Sequence, residues 1–379
     1  MNAFFMMSYF RATSPTLLLN TGICRENIRR MAAKCRRLGI GLNPHFKTHQ
    51  SAAIGRWFYE EGVRRITVSS LEMAEYFADA GWDDITLAFP VNLRELPRIN
   101  ALAGRVALTL EVLSADLAAR LAHALAYPVK VLVEIDAGYA RTGIPAANSS
   151  RLDALLKMID NSSKLSLYGF YIHAGHSYDV QGAAAVGRIH EQTLAALHGL
   201  HRTYSPYYPD LKISMGDTPS CSLMEEFPGV SEIRPGNFVF YDVMQAQIGS
   251  CTYKDIAVAL AAPVVATEPS RNEVVVHGGG IHLSKDHLDI KGVGRVFGRV
   301  AELSETSWGR PLPLPENYVR KLSQEHGIIR LSEAAFRRVE IGGLLAVLPI
   351  HSCLSADCMG GYLPESGAYI PMMNWRRQG

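Results

Sequence analysis

The chain has 379 residues, 48% hydrophobic and 20% charged, which excludes a disordered polypeptide and is too long for one ordinary core. With 38 basic against 36 acidic residues the formal charge is only +2, so neither composition nor any long basic run supports nucleic-acid binding. Six cysteines form no dense framework and fit free thiols in a reducing cytoplasm. The apolar opening Met1 to Phe10 lacks the basic start, length and small-residue cleavage site of a signal peptide. No apolar run approaches the ~20 residues a membrane span needs. A soluble, cytoplasmic, two-domain protein is expected, with no membrane partner.

In chain order, Leu17-Leu18-Leu19 after Pro15 reads as a short buried strand. Ile28, Met31, Ala32, Cys35 and Leu38 then mark one stripe of a helix. From residue 39 an alternation sets in. Strand-like runs occupy 39–44, 65–69, 85–89, 106–110, 129–135, 165–172, 211–214 and 231–233. Helical stretches such as 71–80, 115–126, 151–159 and 183–204 separate most of them. This predicts an α/β fold, a (β/α)8 TIM-type barrel. A doubly wound open sheet alternates in the same way, but no Gly-x-Gly-x-x-Gly turn follows an early strand. After Tyr241 come strand-like runs at 256–265, 273–277 and 344–348 and a loop at Pro311 to Pro315, the texture of a mainly β domain. The expected division is a barrel over 16–243 and a C-terminal β domain over 244–379. Residues 1–15, or the strand after them, are free to pair with that β domain.

Functional groups of such barrels sit where strands end, because the following loops line one mouth. Lys47, in Asn-Pro-His-Phe-Lys-Thr-His-Gln, follows the first strand. Arg141 follows the fifth, His173 the sixth, Gly216 and Thr218 the seventh, and Gly236 and Asn237 the eighth. Loops after strands seven and eight often bind phosphate, and these two offer backbone donors, a hydroxyl and an amide. Ordinary turns would look similar. A phosphate site opposite a strand-end lysine points to pyridoxal 5'-phosphate, whose Schiff base needs a partly desolvated amine. Arg141 would then hold the phenolic oxygen or limit protonation of the ring nitrogen, unless it pairs with Asp136. His173 would meet the ring nitrogen, unless it is a hydrogen-bonded core histidine.

Near the C-terminus, His351-Ser352-Cys353 follows an apolar run. In an extended segment residues i and i+2 share a side, so imidazole and thiolate would grip one divalent metal, with Zn2+ favoured and Mn2+ or Mg2+ possible. Asp357 and Cys358 read as structural neighbours. His277-Gly278-Gly279-Gly280 looks like an esterase oxyanion loop, but no Gly-x-Ser-x-Gly turn accompanies it, which leaves a tight turn in the β domain. Arg376-Arg377 reads as a solvated tail.

Taken together, the motifs Pro44-His45-Phe46-Lys47-Thr48, Glu134-Ile135-Asp136-x-Gly138-x-x-Arg141-x-Gly143, His173-x-Gly175-x-Ser177-Tyr178, Gly216-x-Thr218-Pro219, Arg234-Pro235-Gly236-Asn237, Gln324-Glu325-His326-Gly327 and His351-x-Cys353 form an ordered set. It resembles the D-threonine aldolase and D-serine dehydratase family, pyridoxal-phosphate enzymes of the alanine racemase fold. The resemblance spans about Ser14 to Trp375. It implies Lys47 as Schiff-base lysine and base, Arg141 and His173 at the cofactor ring, and Gly216, Thr218, Gly236 and Asn237 at its phosphate. It further implies an activating metal on His351 and Cys353, a small D-amino acid substrate, and a homodimer with a shared active site. Gln50 stands where many relatives have lysine, His277 where aspartate is common, and Asp217 puts a carboxylate beside the phosphate loop. Dehydration of a D-3-hydroxy amino acid to keto acid and ammonia is favoured, because cysteine at the second metal position resembles the zinc-dependent dehydratases. Retro-aldol cleavage to glycine and an aldehyde, racemisation, and a non-catalytic pyridoxal-phosphate carrier are the alternatives.

Overall fold

The computed structural model describes residues 9–373. Residues 1–8 of the N-terminal segment and the Arg376-Arg377 pair therefore lie outside the described residues. Eight parallel strands run in the spatial order Gly41–Leu42, Glu232–Ile233, Lys212–Met215, Leu165–Ile172, Val129–Asp136, Ala107–Glu111, Asp84–Pro90 and Ile66–Val68. A parallel bridge between His45 and Thr67, with the Thr67 amide donating to Pro44 O at 2.9 Å, closes the ring. Each of the eight expected strands is present, and the fold is a (β/α)8 barrel followed by an antiparallel β region.

Helices are placed by ordinary end chemistry. Thr21–Leu38 starts where Asn20 Oδ1 accepts from the Ile23 amide at 3.0 Å, and it stops at Gly39, whose φ of 67° suits glycine. Its buried stripe of Cys24, Ile28, Met31, Ala32 and Cys35 packs on the barrel wall. Ser70 and Ser114 cap Leu71–Asp79 and Ala115–Ala124 in the same manner. Leu96–Ala103 is a further helix that periodicity did not reveal. Among the described residues no helix is long and apolar enough to cross a membrane, and all six cysteines are free.

Thr16–Leu19 belongs to the second sheet, not to the barrel: it pairs antiparallel with Val258–Glu268 and parallel with Gly361–Pro364. The reason is its two-sided apolarity. Leu17 and Leu19 enter the main core while Leu18 packs with Tyr9 and Ala261. In that second sheet Val258–Glu268 pairs at one end with Leu344–Pro349 and at the other with Glu273–His277, across a register shift between Val264 and Ala266. With His326–Arg330, Tyr318–Leu322 and Gly298–Leu303 this closes a small antiparallel ring. Leu260, Ala262 and Val264 fill it, whereas Ala259 and Ala261 face the other clusters. Burial on both faces explains why this strand shows no polar alternation.

The large barrel has a polar floor. Glu232, 4% exposed, accepts from Tyr168 Oη and Ser214 Oγ at 2.8 Å each, and pairs with Arg65 at 2.8 Å. Arg65 also reaches Asp84 at 2.9 Å. Removing one member of a buried pair leaves the other charge uncompensated. Arg65→Met is therefore expected to cost roughly 3 kcal/mol, visible as a lower thermal midpoint, with Glu232→Gln restoring part of it in the double variant. Additive losses in the double variant would remove the pair from the floor's account.

Candidate active site

All nine residues singled out in the sequence line one cavity of about 730 Å³: Lys47, Arg141, His173, Gly216, Thr218, Gly236, Asn237, His351 and Cys353. Lys47 sits in the turn Phe46–Thr48. Fully buried Phe46 anchors that turn, its ring 4.9 Å from those of Phe58 and Phe77 and 5.2 Å from Trp82. Lys47 is accessible and lines the cavity. Enclosure lowers its pKa; Cys353 opposes the shift and Arg141 adds to it. His49, by contrast, is fully buried, stacks on Phe58 and accepts from the Ser51 amide at 3.1 Å, so it is part of the core.

On the barrel side, His173 Nδ1–H donates to Gly216 O at 2.7 Å, which leaves Nε2 as a free acceptor. Burial pulls its pKa down to about 4, so the ring is neutral. Arg141 pairs with Glu134 at 3.7 Å and lies over the Tyr139 ring at 5.3 Å. Asp136 does not pair with it but accepts the loop amides of Gly138 and Ala140 at 2.9 and 3.0 Å. The glycines matter through close approach. A Cβ on Gly216 would meet the Arg234 backbone at 2.8 Å, and one on Gly236 would meet His45 O at 2.9 Å.

The expected phosphate donors are partly engaged already. Gly216 N–H donates to Ile172 O, Thr218 N–H to Tyr178 Oη, and Asn237 Nδ2 to Asp242 Oδ2 at 2.6 Å. Thr218 Oγ1 and two guanidinium nitrogens of Arg234 are buried without a protein partner, and both residues line the cavity. Unpaired donors beside an unhindered amine are what an anionic aldehyde cofactor requires, so these residues fit pyridoxal phosphate. Asp217 is turned back on its own helix start, accepting from the Ser220 amide at 2.7 Å and Ser177 Oγ at 2.9 Å. Burial also raises its pKa, which weakens its charge near an anion.

The His351–Cys353 pair is built differently from the expected extended segment. The strand ends at Pro349 and a helix begins at Ser352, so His351 caps Ser352–Met359 and Cys353 lies in its first turn. The two side chains still meet through a hydrogen bond. Burial opposes the charged form of His351, but its hydrogen bonds to Asp286 and Cys353 and the nearby Cys353 and Asp242 charges together push it up to about 11, while His351 pulls Cys353 below its usual range against burial. Thr48 Oγ1 lies 3.2 Å and Asn237 Nδ2 3.5 Å from the sulfur. Asp242 Oδ2 holds the helix start by accepting the Ser352 amide at 3.0 Å. Imidazole, thiolate and open cavity space fit a divalent cation. His277, His282 and Glu325 also bring ligand atoms within 4.8 Å of one another. There the Gly279 amide donates to His282 Nδ1 at 3.1 Å, and Glu325 Oε2 lies 3.9 Å from His282 Nε2 and 3.4 Å from His277 Nε2.

Residues 19–243 match the alanine racemase N-terminal domain, and residues 257–364 match a putative serine dehydratase domain. This chain belongs to the D-threonine aldolase and D-serine dehydratase-like family. As a member it is a pyridoxal-phosphate-dependent lyase of the alanine racemase fold. It is 30% identical to a D-serine dehydratase of Dictyostelium discoideum over 92% of each chain. The D-threo-3-hydroxyaspartate dehydratase of Delftia sp. is 28% identical over 92% of this chain and 93% of that one. Its solved structure superposes with a TM-score of 0.88 at 26% identity, covering 97% of this chain and 100% of that one. Solved forms of that enzyme include a cysteine-to-alanine mutant in the metal-free form. A D-threonine aldolase from Filomicrobium marinum superposes with a TM-score of 0.77 at 21% identity, covering 96% of each chain, and shows the fold alone.

Sequence reading within this family passed over Glu111, which closes the Ala107–Glu111 strand at the cavity floor. The strand-end rule that singled out Lys47 would have found it. Tyr171 Oη donates to it, Arg234 lies 4.0 Å over the Tyr171 ring, and Glu134 is its acidic neighbour. Burial first and Glu134 second raise Glu111 to about 8. An acid whose folded pKa is raised stabilises the fold below its unfolded value and loses that contribution as pH rises through the folded one. Relative to Glu111→Gln, the parent's thermal midpoint is expected to fall by a few degrees between about pH 4.5 and pH 8. Parallel melting curves for the two proteins across that window would show that Glu111 titrates normally.

Proposed function

We propose that this chain eliminates water from a D-3-hydroxy amino acid, yielding a keto acid and ammonia. Pyridoxal phosphate is carried by Lys47, and a divalent cation, Zn2+ before Mn2+ or Mg2+, by His351 and Cys353. The observation that carries the reading is the convergence of amine and thiolate in one cavity, with Thr48 beside Lys47 in the chain and 3.2 Å from Cys353 Sγ. The dehydratase relatives, alignable over nearly the whole chain, support elimination.

When bound, pyridoxal phosphate supplies the electron sink that makes an α-proton removable, and the cation supplies Lewis acidity toward the β-hydroxyl. The chain's own groups do the rest. Lys47, its ammonium form disfavoured by enclosure, anchors the cofactor and then takes the α-proton at Nζ. Neutral His173 offers Nε2 as acceptor at the ring, and Arg141, which like His173 packs against Tyr139, adds a cation to the cavity wall. Thr218 Oγ1 and the turn at Gly236 receive the phosphate. Burial opposes ionisation of Cys353, but the hydrogen bond and charge of His351 pull its pKa below the usual thiol range, which eases the deprotonation that cation binding requires. The reading includes the homodimer with a shared site and a cytoplasmic location, supported by the family resemblance and the free thiols.

Incubation with D-serine, D-threonine and D-3-hydroxyaspartate, with and without chelator, reads the reaction. Keto acid plus ammonia is expected; glycine plus aldehyde selects the aldolase instead. Lys47→Ala is expected to lose turnover by about 10³-fold or more, together with the borohydride-reducible adduct. His351→Ala is expected to keep that adduct and lose metal stimulation. Turnover of none of the three substrates by cofactor- and metal-loaded protein would favour the carrier.

A further inference from the structure

The segment that follows the second region's glycine turn carries a carboxylate with an unusual approach. Asp286 reaches across 65 positions of sequence to His351, its Oδ2 accepting from Nδ1–H at 2.8 Å. Both side chains are only half-buried, 38% and 29% exposed, so this is not a pair sealed into a core. Two residues earlier Ser284 adopts φ 65° and ψ −175°, a region that is essentially glycine's own. Strain of that kind persists only where surrounding contacts fix it. Here they are visible. Ser355 Oγ donates to Leu283 O at 3.0 Å, and the Asp286 amide donates back to Ser284 Oγ at 3.2 Å. The first of these contacts comes from the helix that carries Cys353, so the strained turn and the thiolate share one support.

We propose that Asp286 is a positioning residue for the metal pair. By holding Nδ1–H it leaves Nε2 as the nitrogen that gives up its proton to a cation, so that Nε2 and the Cys353 sulfur converge on one ion. Asp286 is not a ligand in this arrangement, because its Oδ2 is committed to His351 Nδ1. Nor does Asp242 take either role: its Oδ2 is spent on Asn237 and the start of the helix. Carboxylate partners of ligating histidines commonly change metal affinity by about 10- to 100-fold. The inference rests on the reading of His351 and Cys353 as metal ligands and adds what orients them.

The test uses full-length protein loaded with pyridoxal phosphate and titrated with Zn2+ against a competing chelator. Asp286→Ala is expected to weaken Zn2+ by about 10- to 100-fold, and Asp286→Asn, whose amide oxygen still accepts from Nδ1–H, by less. Asp289→Ala, in the neighbouring hairpin, serves as control and should leave Zn2+ affinity unchanged. Nitrogen-15 spectra of the Zn2+-loaded proteins should show His351 bound through Nε2 with its proton on Nδ1 in the parent and in Asp286→Asn, and a mixture of Nε2- and Nδ1-bound forms in Asp286→Ala. Thermal midpoints of the metal-free proteins should agree, which separates orientation from loss of fold. Equal Zn2+ affinity in parent and Asp286→Ala overturns the positioning role while leaving the metal pair standing. Failure of the parent to bind Zn2+ overturns both.

Discussion

The contact on which the site depends is the wedge of the His45–Thr48 turn between Gly236 and the helix that starts at Ser352. Gly236 has no room for a side chain because His45 O, His45 Cβ and Thr48 Oγ1 lie 2.9, 3.0 and 3.2 Å from where its Cβ would be. Beyond the turn, Thr48 touches Cys353, Gln50 Nε2 donates to Asp357 at 2.9 Å, and Tyr362 Oη donates to His49 O at 2.7 Å. One short turn thus joins the last barrel strand, the barrel closure and the antiparallel region. Lys47 cannot shift relative to Cys353 without disturbing all three. That rigidity is what places an amine and a thiolate in a common cavity.

Charge is distributed unevenly around that cavity, and burial is the cause on one side. Lys47 and His173 are both driven towards their neutral forms, and Glu111 is driven towards its protonated one. The barrel wall therefore favours uncharged donors and acceptors, suited to taking and holding protons. On the helix side the hydrogen bonds and charges around His351 outweigh burial and hold it well above its usual range, while His351 pulls Cys353 below its own.

The barrel was legible because its signal is repeated. Eight apolar runs with helices between them leave few topologies, and the strand-end rule then pointed to Lys47, Arg141 and His173 without any contact being known. What escaped was long-range or local to an element end. Thr16–Leu19 is apolar on both faces, and periodicity cannot say which of two sheets receives such a strand. The extended reading of His351-x-Cys353 failed because a helix begins at Ser352 without a side-chain cap, leaving no start signal in the sequence. Asn237 carried a plausible amide for phosphate, but its Nδ2 is spent on Asp242 and Ser352, partners 5 and 115 positions away. Asp286 was invisible for the same reason.

Those misses share a cause that bears on how the reaction is selected. The barrel contributes groups that a strand-end rule can find, and in the proposed function these are the groups that would hold an anionic cofactor and take a proton. The groups proposed to face the β-hydroxyl come instead from helix starts and a strained turn in the antiparallel region, where short elements leave little periodicity. If the cofactor half of the site sets the D-amino acid chemistry in general, the second half decides which bond breaks. Elimination needs the β-oxygen to leave, whereas retro-aldol cleavage needs it deprotonated in place. In that reading the sulfur at Cys353, the orientation of His351 and the carboxylate behind it are the features on which the choice between dehydration and cleavage would turn.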